Sequence, residues 1–209
     1  SDATVTTPRC PASPGPTGLS ASPPQNLLVK ASAAEDAVAD ELDRVWLHPA
    51  GSSPYSGAAT ALFPWTIAKA FLSSPAALRQ TISERRQRIT AHSPRQDQQI
   101  EIEALDRLNT LNDAAFDSSS KYDELVRYLR HIGIDRRQPE RAVVFAERVA
   151  TLHWLRDRLI DDLSLTADQV AVLHGGLSDT EQQQVVESFK QSNSPIRVLV
   201  TGDVASEGV

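Results

Sequence analysis

Methionine is absent from the 209-residue sequence, even at position 1, and cysteine occurs once, as Cys10. Because a natural reading frame begins with methionine, we expect a processed or engineered start at Ser1 and a chain that is a piece of a longer protein. One cysteine excludes a disulfide scaffold and a multi-cysteine zinc site, and it is typical of a reducing compartment. No apolar run approaches 18 residues and no secretory signal pattern opens the chain, so the sequence predicts a cytoplasmic protein without a membrane span.

Several enzyme signatures are also missing. The sequence has no GxxxxGK(S/T) phosphate loop, no GxGxxG turn opening a helix after a strand, no GxSxG and no HExxH. A self-contained ATPase, a Rossmann dehydrogenase, an α/β-hydrolase and a zincin are therefore disfavoured.

The composition is that of an ordinary globular chain, with 40% apolar and 23% charged residues. The net charge of -6 and the pI of about 5.4 argue against a broad basic patch that binds nucleic acid or a membrane, although they allow a local basic groove. Two small basic clusters occur, Arg85-Arg86 with Arg88 and Arg136-Arg137. Each is either a solvated face or a binding site.

The chain divides into three parts. Residues 1–26 are rich in proline and serine, which predicts a disordered tail or linker. Cys10 lies in this segment, and we interpret it as an incidental exposed cysteine rather than a reactive thiol. Residues 27–135 are mainly helical in pattern. Helix starts are predicted at the capping box of Ser32 and Glu35, at Ser74-Pro75, at Ser93-Pro94 and at Ser120, with a helix stop at Gly133.

Residues 136–209 have an α/β pattern. Short apolar runs at 142–146, 170–173 and 196–200 alternate with a helical stretch at 149–163 and a helix capped by Ser178 with Glu181. This alternation of strands and helices along the chain predicts a parallel sheet. Because the runs are apolar at successive positions, we expect helices to cover both faces of that sheet.

Ligands of open parallel sheets lie beyond the carboxyl ends of the strands. Three loops are therefore candidates: Glu147-Arg148, His174-Gly175-Gly176 and Thr201-Gly202-Asp203. The third offers a hydroxyl, a close backbone approach and a carboxylate, which suit phosphate contacts, or it is a plain turn with Asp203 as a helix cap. The loop His174-Gly175-Gly176 is either a glycine turn or a nucleic-acid contact. A metal site is disfavoured there, because the sequence offers no second metal-binding residue at ligand spacing from His174.

Three segments in order resemble the second RecA-like lobe of superfamily-2 helicases, closest to the bacterial Swi/Snf-type branch. RAVVFAERVATLHWLRDRL (141–159) looks like helicase motif IV, and VAVLHGGLSDTEQQQVVESF (170–189) like the following strand, H-G turn and capped helix. VLVTGDVASEGV (198–209) looks like motif V, and FPWTIAKAFLSSPAALRQTI (63–82) looks like the helical stretch between the two lobes. The resemblance implies an incomplete RecA-like domain with flanking helices, preceded by an inter-lobe helical region.

By this resemblance the parent enzyme is an ATP-driven helicase or translocase on DNA rather than RNA, which uses ATP and magnesium. Glu207 and Gly208 would lie at the ATP interface with the first lobe. The nucleic-acid track would comprise Thr201, Gly202, Glu147, Arg148, His174, Gly175 and Gly176. Two positions depart from the family pattern. Gln182 occupies a position where many relatives have arginine, and Ala146-Glu147 occupy positions where eukaryotic relatives often have a Ser-Gln pair.

The chain includes neither the first lobe nor motif VI, so we expect this fragment to hold no complete catalytic set, no metal site and no bound ATP, and to be inactive alone. An unfinished sheet would expose apolar edge, which predicts self-association. The alternative is a non-enzymatic protein-interaction module on an α/β scaffold, with an exposed apolar patch around Trp46, Trp65 and Phe71. An unrelated nucleotide-binding domain would need a glycine-rich first loop, which 146–148 lack.

Overall fold

The computed structural model of the protein describes residues 26–57, 62–91, 93–134 and 140–202. Residues 1–25 with Cys10, the Arg136-Arg137 pair, Asp203, Glu207 and Gly208 lie outside these ranges. Every helix within them is too short or too polar to span a bilayer. The amino-terminal half is helical, as predicted, with α1 at Ala33–Glu41 continuing as a π-helical turn at Leu42–Leu47, α2 at Leu62–Ser73, α3 at Pro75–Thr90, α4 at Gln96–Ala115 and α5 at Ser120–His131.

Local sequence signals set several helix ends as expected. The Ser32 hydroxyl accepts from the Glu35 N–H while the Glu35 carboxylate accepts from the Ser32 N–H, which confirms the capping box of α1. The Ser74 hydroxyl likewise accepts from the Ala77 N–H at 3.0 Å and starts α3. Gly133 ends α5 with a φ of 86°, a conformation that glycine adopts without steric cost.

One predicted helix start was wrong by two residues. α4 begins after Arg95, not after Ser93, because the Gln98 side chain accepts from the Arg95 N–H at 2.9 Å and closes the first turn there. α5 begins at Ser120, which confirms the start predicted there; its N-cap is Ser119, and the N–H of Ser120 donates to the Glu35 carboxylate of α1 at 3.2 Å. At the start of each helix, a side chain outside the predicted signal accepts a hydrogen bond from one of the free backbone N–H groups.

The helices bury one apolar cluster between them. Trp46 is 1% exposed and belongs to this cluster, so the predicted patch around Trp46, Trp65 and Phe71 is wrong for Trp46. Phe71 is half-buried, and only Trp65 is exposed. The largest buried members are Trp46, Ile67, Leu78, Leu105 and Leu108.

A buried ion pair fixes α4 against α3. The Glu101 carboxylate is fully buried and accepts from Arg85 Nε at 2.7 Å and Nη2 at 2.8 Å, and from the Ser56 N–H at 2.9 Å and hydroxyl at 2.6 Å. Burial raises the pKa of Glu101, but the hydrogen bonds from Arg85 and Ser56 outweigh it and hold that pKa below its ordinary value of 4.5. The carboxylate therefore stabilises the fold above that value, and the contribution is lost as pH falls through the lowered pKa.

Replacing Glu101 by alanine should destabilise the chain by about 2–4 kcal/mol, because it leaves Arg85, whose side chain is only 16% exposed, without its partner. The matched control is Asp106→Ala, since Asp106 pairs with the neighbouring Arg86 at 2.7 Å and both side chains are about half exposed; its cost should stay below about 1 kcal/mol. Urea unfolding followed by circular dichroism measures both. Equal losses for the two variants would contradict the structural role of the buried pair.

The carboxy-terminal half contains the predicted parallel sheet. Its strands are β1 at Ala142–Phe145, β2 at Val170–Leu173 and β3 at Val198–Thr201, in the order β1-β3-β2. α6 at Val149–Asp162 and α7 at Asp179–Lys190 connect them. Both strand pairs are parallel and in register over four residues, which confirms the strand and helix order predicted from the apolar runs.

Helix cover differs between the strands. α6 packs on one face with Leu152, Leu155 and Leu159, and α5 joins the same cluster. α7 covers Leu173 and Leu199 on the other face, and all four residues of β3 are buried. The expectation that both faces are covered is therefore wrong for β1, whose Val143 and Phe145 are 37% and 62% exposed. The cause is that α7 lies over β2 and β3 and leaves the outer strand open.

Three hydroxyl groups join the helical half to the α/β half. Thr151 on α6 is buried, and its hydroxyl lies 2.7 Å from the hydroxyls of both Ser73 and Ser74. Nearby, the buried Asn112 amide donates to the Pro75 carbonyl at 2.9 Å. Buried polar groups bonded in this way hold one arrangement of the two halves, since any shift would leave a hydroxyl without a partner.

Changing Thr151 to valine should cost about 1–3 kcal/mol of unfolding free energy, because it leaves two serine hydroxyls without their partner. Thr66→Val is the control: the exposed Thr66 hydroxyl only donates to Leu62 of its own helix, so its removal should cost less than about 0.5 kcal/mol. Thermal and urea unfolding report the difference. A neutral Thr151 variant would show that the hydroxyl cluster does not stabilise the junction.

Candidate nucleic-acid interface

The three candidate loops leave the sheet at the same edge, because the strands are parallel and adjacent. Two hydrogen bonds tie the strand ends together: the Ala146 N–H donates to the Thr201 carbonyl at 2.9 Å, and the Gly202 N–H donates to the Leu173 carbonyl at 3.1 Å. The structure thus brings together the described residues of all three loops, 146–148, 174–176 and 202. The roles of these residues in binding stay predictions.

Thr201 and Gly202 lie at the centre of this edge and are both buried. The Thr201 hydroxyl donates to the Gly202 carbonyl at 3.2 Å, so a phosphate contact from Thr201 requires that bond to be exchanged. A Cβ atom at Gly202 would lie 3.6 Å from the Ala146 carbonyl oxygen and 3.8 Å from Leu152 Cδ1, which are ordinary contacts. Packing therefore does not demand glycine at position 202.

The side chains of Glu147 and Arg148 have different surroundings. Glu147 is exposed and lines a cavity of about 520 Å³ at the end of β1. Arg148 is the residue before α6, and its Nη2 donates to the Thr66 carbonyl at 3.4 Å. The buried Arg148 Nε has no partner among the described residues. Arg148 therefore links the loop to α2 and keeps a donor free.

The second loop presents backbone at the surface. His174 is half-buried, and its Nδ1 accepts from the Gly176 N–H at 3.0 Å. Because Nδ1 accepts, the neutral ring carries its proton on Nε2. Gly175 and Gly176 are exposed, and the ring of His153 on α6 stacks edge-to-face on His174 at 5.5 Å. No group of three or more metal-binding side chains occurs in the described ranges.

Two lysines that sequence reasoning missed also line the cavity at the end of β1. Lys69 comes from α2 and Lys121 from the start of α5, with Trp154 of α6 on the wall. Burial lowers the pKa of Lys121, and the charge of Glu35 opposes that shift. No sequence signal could have found this group, because its members are brought together only by packing of distant helices.

The basic cluster on α3 is not a free patch. Besides Arg85, which pairs with Glu101, Arg86 pairs with Asp106 at 2.7 Å and Arg88 with Glu84 at 3.6 Å. These pairs favour the interpretation of the cluster as a structural and solvated face.

The described residues do not by themselves fit ATP and magnesium. The β1–α6 turn, 146–148, contains no glycine to let backbone amides surround a phosphate, and Arg148 is drawn toward α2. The two residues expected at the ATP interface, Glu207 and Gly208, lie outside the described ranges.

Gly176→Ala should break the loop hydrogen bond, because a Cβ there would lie 3.0 Å from His174 Nδ1 and Cε1. The ¹⁵N shifts of the His174 ring should change in a long-range proton–nitrogen spectrum as Nδ1 loses its donor. Gly202→Ala is the matched control, since its Cβ meets only ordinary contacts. Unchanged His174 ring signals in the Gly176 variant would contradict this loop geometry.

One family model matches a segment of the chain that begins at α5 and includes the α/β half. The model of the helicase conserved C-terminal domain family matches residues 120–209. Among solved structures, the Pyrococcus furiosus Hef helicase domain is 19% identical with a TM-score of 0.47, over 84% of this chain and 42% of that one. The Sulfolobus solfataricus SWI2/SNF2 ATPase C-terminal domain is 18% identical with a TM-score of 0.34, over 61% of this chain and 57% of that one. No curated protein matches significantly.

The chain thus spans roughly half the length of these two structures. The family match begins at α5, which packs with α6 and the sheet in one apolar cluster. Residues 120–209 therefore resemble a helicase conserved C-terminal domain, and the structure describes this segment as α5, the parallel sheet and its two helices.

Proposed function

We propose that this chain is part of an ATP-dependent DNA helicase or translocase, to which it contributes part of the second lobe. The match of residues 120–209 to the helicase C-terminal domain carries the proposal. The arrangement of the sheet supports it, because three strand-end loops of the matched segment lie side by side at one edge. Parallel sheets commonly bind their ligands at that edge.

In this proposal a nucleic-acid backbone passes over the three loops. The exposed Gly175 and Gly176 let phosphates approach backbone N–H groups, and Arg148, whose Nε is buried, reaches a phosphate after its guanidinium turns away from the Thr66 carbonyl. Thr201 reaches a phosphate after exchanging its bond to Gly202. Glu147 and His174 flank the path. DNA is proposed over RNA, as the resemblance implies.

ATP and magnesium belong to the whole enzyme in this proposal, at the interface where Glu207 and Gly208 face the first lobe. A first lobe and an arginine finger would come from outside this chain. Since the described residues offer no phosphate cradle, we expect this chain alone neither to bind ATP tightly nor to hydrolyse it. A cytoplasmic location stays a prediction from the sequence. We also propose that the chain alone self-associates.

A protein-interaction module is the second candidate, and one observation favours it. Leu62, Trp65 and Leu72 of α2 are 71%, 57% and 67% exposed and lie on one side of the helix at spacings of three and seven residues. Such a stripe can dock another apolar surface. It differs from the patch expected from sequence, because Trp46 is buried.

Fluorescence anisotropy with labelled single-stranded DNA at several salt concentrations tests the proposal. The chain should bind with an affinity that falls as salt rises, and Arg148→Gln should weaken binding and reduce the salt slope by about 1. Arg156→Gln, which removes an exposed arginine paired with Asp157 on the same helix, is the control and should bind like the wild type.

An RNA oligonucleotide of the same length decides between the two nucleic acids. Tighter binding of RNA would overturn the DNA proposal. Absence of binding to either strand at low salt, by a chain shown to be folded, would overturn the nucleic-acid role and leave the protein-interaction module.

A further inference from the structure

The outer face of α2 carries an exposed tryptophan on a helix that is firmly held from behind. Trp65 is 57% exposed, whereas the other two tryptophans of the chain, Trp46 and Trp154, are buried. The inner face of α2 is anchored in the core by four buried side chains, Pro64, Ile67, Ala68 and Ala70. The indole of Trp65 is therefore an aromatic surface in contact with solvent at a fixed place in the fold.

This outer face is mixed rather than purely apolar. Leu62, Trp65, Lys69 and Leu72 follow one another at spacings of three, four and three residues, which places them on one side of the helix, and all four are exposed. Lys69 thus stands between Trp65 and Leu72. An apolar protein surface laid over the stripe would strip water from the Lys69 ammonium without giving it a partner. A phosphodiester would pair with that charge, so the stripe fits a nucleic-acid strand better.

The outer face of α2 adjoins the first of the three strand-end loops. Thr66, the residue after Trp65, accepts through its carbonyl from Arg148 Nη2 at 3.4 Å. One turn further along α2, Lys69 lines the same cavity as Glu147. A strand that passes over the loop of Glu147 and Arg148 therefore meets Trp65 and Lys69 next.

We propose that Trp65 stacks on a base of single-stranded DNA beside the β1–α6 loop, while Lys69 contacts a neighbouring phosphate. This inference rests on the proposed function and adds its substrate class, a strand with unpaired bases. An indole stacks on the face of any base, so the site tolerates every sequence. A duplex does not fit, because its bases cover one another's faces and leave only their edges to the protein.

Fluorescence anisotropy with a labelled oligothymidylate tests the stacking contact. Trp65→Leu keeps an apolar side chain but removes the ring, and it should raise the dissociation constant at least about fivefold. Trp65→Phe keeps a ring and should retain most of the affinity. Leu62→Ala is the matched control, since Leu62 is 71% exposed on the same face and has no ring; it should bind like the wild type.

An abasic oligonucleotide with the same number of phosphates separates the base from the backbone. Trp65→Leu should bind it as the wild type does, because there is no base to stack on. Lys69→Gln should weaken binding to both oligonucleotides and reduce the salt slope by about 1. Lys190→Gln is its control, because Lys190 is exposed at the end of α7, far along the chain from the strand-end loops.

Tryptophan fluorescence gives a readout of the contact itself. Because Trp46 and Trp154 are buried, quenching of the emission by unlabelled oligothymidylate should come from Trp65. The wild type should be quenched on binding. The Trp65→Phe chain should bind in the anisotropy experiment without that quenching.

Three results would overturn this inference while leaving the proposed function in place. In the first, Trp65→Leu binds oligothymidylate like the wild type. In the second, it loses as much affinity for the abasic strand or for a duplex of the same length. In the third, Leu62→Ala loses as much affinity as Trp65→Leu, which would indicate an apolar docking face. A folded chain that binds no nucleic acid at low salt would overturn both.

Discussion

The burial of β3 is the constraint on which the rest of the α/β half depends. All four of its residues are buried, and it pairs with β1 on one side and β2 on the other. Because both neighbours run parallel to it, the loops that follow all three strands emerge at one edge. Thr201 and Gly202 then lie between the loop of Glu147 and that of His174, and the candidate interface is a direct consequence of this central strand.

The two outer strands of the sheet, β1 and β2, differ in how far helices cover them. α7 covers one face of β2 and β3 but not of β1, so the side chains of Val143 and Phe145 are exposed among the described residues. The helical half covers the opposite side of β1 only in part and leaves the cavity of about 520 Å³ at its end. Within the described residues, β1 is therefore covered less than β2 and β3.

Local features of this structure could be predicted from the sequence, and features that depend on distant contacts could not. The cap at Ser32, the stop at Gly133 and the parallel direction of the three strands follow from short patterns that the structure keeps. The start of α4 differed from the prediction because the Gln98 side chain accepts from the Arg95 N–H, which the Ser93-Pro94 signal does not show. The burial of Trp46, the exposure of Phe145 and the cavity lysines depend on how helices pack. The candidate loops were predictable as a group, but the bond that turns the Thr201 hydroxyl to Gly202 was not.

A nuclear magnetic resonance titration of the ¹⁵N-labelled chain with single-stranded DNA tests the central claim most directly. If the strand-end loops form the nucleic-acid track, the largest shifts should fall on the backbone amides of 146–148, 174–176 and 202, with few changes on α1 and α4. Shifts confined to α2 around Trp65, or no shifts at low salt from a folded chain, would contradict the account.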